Sequence, residues 1–153
     1  RNNLAGAYES AGRLTEAIAL YEQVLTDCVR ILGEDHPATL TSRNDLAGAY
    51  RAAGRLTEAI TLYEQVLTDR IRVLGEDHPD TLTSRNNLAG AYRAAGRLAE
   101  AITLYEQVLT DLIRILGEDH PLTKTVRENP EAAKRELEQQ AEDSANEERE
   151  QED

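Results

Sequence analysis

The sequence predicts an all-α solenoid, a stack of antiparallel helix hairpins, on three observations. The chain repeats itself with a period of 42, over residues 1–42, 43–84 and 85–126, and consecutive copies differ at only eight and seven positions. Within each copy, apolar residues recur at three- and four-residue steps, the spacing of a helix face rather than of a strand. Glycine and proline punctuate the breaks in that spacing, as at Gly54, Gly75 and Pro79. A fixed period of this length means that each copy is one supersecondary unit, whose apolar face is covered only when neighbours stack upon it.

The longer helix of each unit follows Gly54 in the second copy. Leu56, Ala59, Ile60, Tyr63, Val66, Leu67, Ile71 and Leu74 form one continuous stripe. Gly75 stands where a left-handed helix terminator belongs. Glu76, Asp77, His78 and Pro79 then turn the chain, with Pro79 suited to a first helical position and Asp77 or His78 to its cap. The next helix carries Leu82, Leu88, Ala91, Tyr92 and Ala95, and Gly96 is expected to end it.

Composition narrows the function classes. Phe, Trp and Met are absent, six tyrosines are the only aromatics, and the formal net charge is −12. Residues 127–153 hold 11 acidic and 4 basic side chains, so −7 of that charge sits in the last segment and −5 in the rest. Such a surface repels phosphate backbones, and nucleic acid is not an expected partner. No apolar run reaches the roughly 18 residues that a membrane span requires. The single cysteine, Cys28, has no internal disulfide partner, which fits a reducing compartment, and a cytoplasmic setting is expected. Arg1 opens the chain partway through a unit, the pattern expected of a segment of a longer array with an incompletely capped N-terminal face.

The pattern Leu88-Ala89-x-x-Tyr92-x-x-x-Gly96-x-x-x-x-Ala101-x-x-x-Tyr105, repeated from Leu4 and Leu46, resembles the tetratricopeptide signature. The 42-residue period, with a long second helix ending in Leu-Gly-Glu-Asp-His-Pro and followed by Asn-Asn-Leu-Ala, is similar to the kinesin light chain subclass. The resemblance covers residues 1 to 126 and implies a right-handed α-solenoid whose first helices line a concave, peptide-binding surface. It also implies a scaffold with no catalytic activity and no cofactor. Bacterial signalling proteins carry the same subclass in long arrays, so a sensor arm of a larger signalling ATPase is an alternative. A self-assembling array is another, because near-identical units favour end stacking or exchange of repeats between copies.

With Leu46 and Tyr50 facing the core, the inner surface is expected to present Thr41, Asn44, Gly48 and Arg51 in unit two. Unit three presents Thr83, Asn86, Gly90 and Arg93, and unit one Asn2 and Gly6. The glycines would give a flat floor for a ligand backbone, at roughly 1 kcal/mol of helix propensity each. The asparagines offer amide donors and acceptors to an extended peptide, the role that the resemblance implies for them, or else they bridge neighbouring helices. The arginines favour an acidic ligand residue. With almost no apolar anchor, affinity for three units is expected at about micromolar or weaker. The carboxylate clamp of chaperone-binding relatives needs lysine where Asn44 stands and asparagine where Gly48 stands, so that partner is not expected.

Other chemistry is set aside. His36, His78 and His120 repeat one unit apart, a helix-packing distance of about 8–10 Å, whereas ligands of one zinc ion lie ~2.0–2.1 Å from it. They are read as turn residues. Glu16, Glu58 and Glu100 are likewise too far apart for an acid–base pair, and no glycine-rich phosphate loop follows a strand. Cys28 takes the place of Arg70 and Leu112, and a position that accepts thiol, guanidinium and alkyl is expected at the periphery. After residue 126, Pro130 replaces an expected leucine, and Asn129-Pro130-Glu131 reads as a fresh helix start. A capping helix is expected over 127–142, on a stripe of Val126, Ala133, Leu137 and Ala141, with a disordered acidic tail over 143–153.

Overall fold

The computed structural model describes residues 13–152, which form six α-helices. They are α1 (Leu14–Leu32), α2 (Pro37–Ala52), α3 (Leu56–Leu74), α4 (Pro79–Ala94), α5 (Leu98–Leu116) and α6 (Pro121–Glu152). Each packs chiefly against its neighbours in sequence, so the helices stack as successive hairpins in an all-α solenoid. Helices α2, α4 and α6 are the first helices of their units, and α1, α3 and α5 the second. Asn2 and Gly6 lie outside the described residues.

Local chemistry fixes the helix ends. The repeated histidine is the N-cap of each first helix described: the ring Nδ1 of His36, His78 and His120 accepts the backbone N–H two residues on, at 3.1 Å each. Proline follows at the first helical position, where a missing N–H costs nothing. Each second helix ends at a glycine with positive φ, 89° at Gly33 and 90° at Gly75. The tight turn between helices of one unit also uses positive φ, 76° at Gly54 and 79° at Gly96, a region that disfavours residues with a Cβ.

The core is built from the predicted stripes. Ala59, Ile60 and Tyr63 of α3 are buried against Leu46, Ala47, Ala49 and Tyr50 of α2 and Leu88 and Ala91 of α4, and Val66 is fully buried further along α3. Fully buried alanines at 47, 59, 89 and 101 let adjacent helices approach closely. Around them, units are joined by repeated polar contacts. Tyr50 Oη donates to Glu22 at 2.8 Å, and Tyr92 Oη to Glu64 at 3.1 Å. Arg55 and Arg97 stack over the same two rings, 4.5 and 4.3 Å from the centroids. Arg72 reaches Asp35 at 2.6 Å and Arg114 reaches Asp77 at 2.8 Å, each crossing a unit junction.

The C-terminal segment differs from expectation. No new helix starts at Asn129: α6 runs unbroken from Pro121 to Glu152, with Pro130 buried inside it. The segment 143–152, expected to be disordered, is the continuation of that helix. Up to Glu136, α6 behaves as the first helix of a fourth unit. Lys134 stands in register with Tyr50 and Tyr92 and takes the equivalent contact as an ion pair with Glu106, at 2.9 Å. Glu138 then occupies the place of Gly54 and Gly96, so nothing turns the chain. Glu, Gln, Ala and Arg are strong helix formers and carry the helix on, helped by a Gln139–Asp143 hydrogen bond of 2.9 Å one turn apart. Of the expected stripe, Val126 and Ala133 are buried, while Leu137 and Ala141 are exposed.

The position shared by Cys28, Arg70 and Leu112 is not peripheral. Leu112 and Arg70 are 1% and 7% exposed, and Cys28 is half-buried with its Sγ 3.5 Å from Ser42 Oγ. The chemical variety there reflects different neighbours, not solvent.

Candidate functional site

Of the residues expected to form a binding surface, the described ones lie on the first helices α2 and α4, and several are already engaged with other side chains. Thr41 and Thr83 are exposed, the latter donating back to the Pro79 carbonyl at 3.0 Å. Asn44 and Asn86 are half-buried, and each accepts from the second asparagine of the next unit. Asn87 Nδ2 donates to Asn44 Oδ1 and Asn129 Nδ2 to Asn86 Oδ1, both at 3.2 Å. The asparagines therefore do bridge neighbouring helices. The side-chain oxygen of each is used in this way, and the Nδ2 hydrogens of Asn44 and Asn86 have no acceptor among the described residues.

Asp45 stands in register with Asn87 and Asn129 but cannot donate. Half-buried, its carboxyl is pushed up by desolvation, against the opposing charge of Arg70. A carboxyl whose folded-state pKa is raised leaves stability whole below the ordinary carboxyl range and removes it as pH rises through the folded value. Asp45→Asn is therefore expected to raise stability at neutral pH and to make no difference in strong acid. Urea midpoints measured from pH 2.5 to 7 check this, and an equal gain at both ends would refute the electrostatic cause.

The two glycines differ. A Cβ on Gly48 would meet only the Tyr63 hydroxyl, at 3.5 Å, an ordinary contact. Gly90 is buried, and a Cβ there would lie 3.0 Å from Nη1 of Arg51. Gly90 is thus the seat of the preceding unit's arginine rather than open floor. In the fourth unit the same place is Ala132, and the arginine there, Arg93, is held elsewhere. Its Nε donates to Glu136 Oε1 at 2.8 Å, with Nη2 closing on the same oxygen. That hydrogen bond holds the Arg93 guanidinium above its ordinary pKa and the Glu136 carboxyl below its own. At the register of Glu136 the preceding unit carries Ala94, so Arg51, lying exposed across Gly90, enters no ion pair among the described residues.

Sequence reading missed Asn87, Asn129 and Glu136 as members of this face. The signal was present: each stands 43 residues after its partner, one more than the period, because adjacent first helices meet with a one-residue stagger.

The opposite side of the stack carries copies of one polar recess, about 550 and 470 Å³, beside the Arg43–Asp69 and Arg85–Asp111 ion pairs of 2.8 and 3.0 Å. Asp35 and Asp77 along that side are held below the usual carboxylate range by hydrogen bonds from Arg72 and Arg114. Arg43–Asp69 and Arg85–Asp111 pair within a unit, whereas Arg72–Asp35 and Arg114–Asp77 join one unit to the next. Among the described residues no group of three His, Cys, Asp or Glu side chains could hold a metal ion, and no helix is long and apolar enough to cross a membrane.

Comparison with known proteins adds to this geometry. A family description, tetratricopeptide repeat, matches residues 1–71 and again 46–112. Among solved structures, the chain is similar to nearly identical TPR-like repeats of a Podosopora anserina protein described as a kinesin light chain. The identity is 36% and the TM-score 0.78, over 86% of this chain and 63% of that one. A variant of those repeats matches at 36% identity and a TM-score of 0.79, over 86% and 62%. BtubC (BKLC) from P. vanneervenii shares the fold, at 24% identity and a TM-score of 0.74, over 85% of this chain and 51% of that one. The chain spans less than two thirds of the length of each of these relatives. No curated protein matches it.

Proposed function

The chain belongs to the tetratricopeptide repeat family, and from that premise we propose that it holds an extended peptide segment of a partner protein along α2, α4 and α6, the concave face of such arrays. The observation that carries the reading is the state of Arg51. Its guanidinium lies exposed over Gly90 without an acidic partner among the described residues, while Asn44, about two turns earlier on the same helix, keeps amide hydrogens to offer. An extended peptide supplies the carbonyls for the amide, and an acidic side chain supplies the bidentate partner for the arginine. Thr41, Gly48 and Thr83 accompany them on that face; Asn86 continues it in the same state as Asn44, while Gly90 and Arg93 are already covered or paired within the stack. No cofactor enters this reading. A cytoplasmic setting belongs to it, by the likeness to kinesin light chains.

The test is a fluorescence-anisotropy screen of extended peptides, acidic and charge-reversed, against the chain and its Arg51→Glu variant. Acidic binders are expected to weaken by about tenfold or more in the variant, the size of one charge-assisted pair lost and one repulsion gained. Equal binding by the two chains would remove Arg51 from the site. End-to-end stacking of copies is the competing use of this fold, and growth of mass with concentration in light scattering, with no peptide bound, would put it first.

A further inference from the structure

Units two and three differ at seven positions, and three of those differences meet at one place in the fold. In the second unit Arg70 of α3 donates to Ser84 Oγ at 2.7 Å and to the Asp80 carbonyl at 3.2 Å, both on α4. An enclosed recess of about 220 Å³ beside it is lined by Asp35, His78 and Asp80 among others. In the third unit the equivalent residues are Leu112 of α5 and Leu122 and Val126 of α6. They form an apolar cluster with Leu82 and Val108, in which Leu112 and Val126 are each 1% exposed. In the first unit they are Cys28, Ala38 and Ser42, small and weakly polar, with Cys28 Sγ 3.5 Å from Ser42 Oγ. Each junction is internally matched, and each differs in chemistry from the next.

We propose that these triads fix the order of the units: each second helix accepts the first helix that carries its own matching pair and rejects the others. The surrounding contacts discriminate less, because the Arg–Asp pairs repeat in register from unit to unit and the Tyr–Glu and Asn–Asn pairs change only at Lys134 and Asp45. A mismatched junction is costly in either direction. Arginine against Leu122 and Val126 is a buried charge left with a backbone carbonyl and no side-chain acceptor, and leucine at position 70 strips the Ser84 hydroxyl and the Asp80 carbonyl of their donor. The partner each surface fits is therefore one particular unit, whether in the same chain or in a second copy.

The test uses the whole chain and urea unfolding followed by circular dichroism. Arg70→Leu alone, and Asp80→Leu with Ser84→Val, are each expected to lower the unfolding midpoint. The triple variant, which rebuilds the third junction's chemistry at the second, is expected to recover most of the loss. Its unfolding equilibrium constant should fall about tenfold below the value to which the two partial effects multiply, the coupling typical of residues in contact. The reciprocal set makes a second measurement: Leu112→Arg is expected to be destabilising and to be rescued by adding Leu122→Asp and Val126→Ser. If a partial variant fails to fold while its matched triple folds, matching is again supported. Additive effects in both sets, or triples that fail wherever the partial variants fail, would overturn the proposal.

Discussion

Replacing Pro130 by leucine is expected to raise the stability of the chain by about 2 kcal/mol, one of the two largest changes that a single substitution here should make. Proline inside a helix lacks the N–H that the carbonyl four residues earlier needs, here that of Val126, and costs about 3 kcal/mol relative to alanine. Val126 is 1% exposed, so water cannot easily replace the lost donor. Leucine is the residue that the stack uses at this register: Leu46 and Leu88 are each 4% exposed, facing the same kind of pocket. The expected gain is below the full propensity difference because the buried site of Pro130 must admit a slightly larger side chain. Urea unfolding with fixed m-value measures the gain. A midpoint unchanged or lowered would mean that α6 has accommodated its proline by repacking.

Leu88→Ala should lower stability by about 3 kcal/mol, the other large effect. Leu88 lies in the cluster formed by Tyr50, Ile60, Tyr63 and Ala91, where units two and three meet. Removing three heavy atoms (Cγ, Cδ1 and Cδ2) from such a site loses transfer energy and leaves a cavity, the mechanism behind core losses of about 2–5 kcal/mol. In a stack whose stability is a sum of units and nearest-neighbour interfaces, that loss falls on one interface. The unfolding transition should therefore broaden as well as shift, as α4 to α6 separate from the rest. Leu137→Ala is the control: Leu137 is 40% exposed, and its truncation should cost well under 1 kcal/mol. A loss of similar size at both positions would contradict the burial argument.

What could be read from the chain beforehand followed from its period. Stripes at three- and four-residue steps located α3 and α4, and Gly75, His78 and Pro79 placed their ends, since each acts through local backbone geometry. The run of α6 through Asn129-Pro130-Glu131 was not legible by the same rules. Locally those residues start a helix, but the contacts of a fourth unit, through Val126, Ala133 and Lys134, outweigh the proline. On the binding face the row of asparagines was visible, yet its internal bonding depends on a one-residue stagger between helices that repeat spacing does not encode. Position 70 failed for another reason. Variety among three copies was taken as exposure, whereas Arg70, Leu112 and Cys28 each answer a different facing residue.

The substitution of Glu138 for the hinge glycine has a consequence for how the molecule meets others. Where two units fold back after Gly54 and Gly96, the last first helix instead projects straight on, and residues 137–152 make a spar about 24 Å long at 1.5 Å per residue. Seven acidic side chains ride on it against Arg149 alone. At physiological salt, charge fades within about 8 Å, so the far turns of the spar are electrically invisible to a peptide lying beside Arg51. They repel only acidic groups that come within that distance of the spar itself.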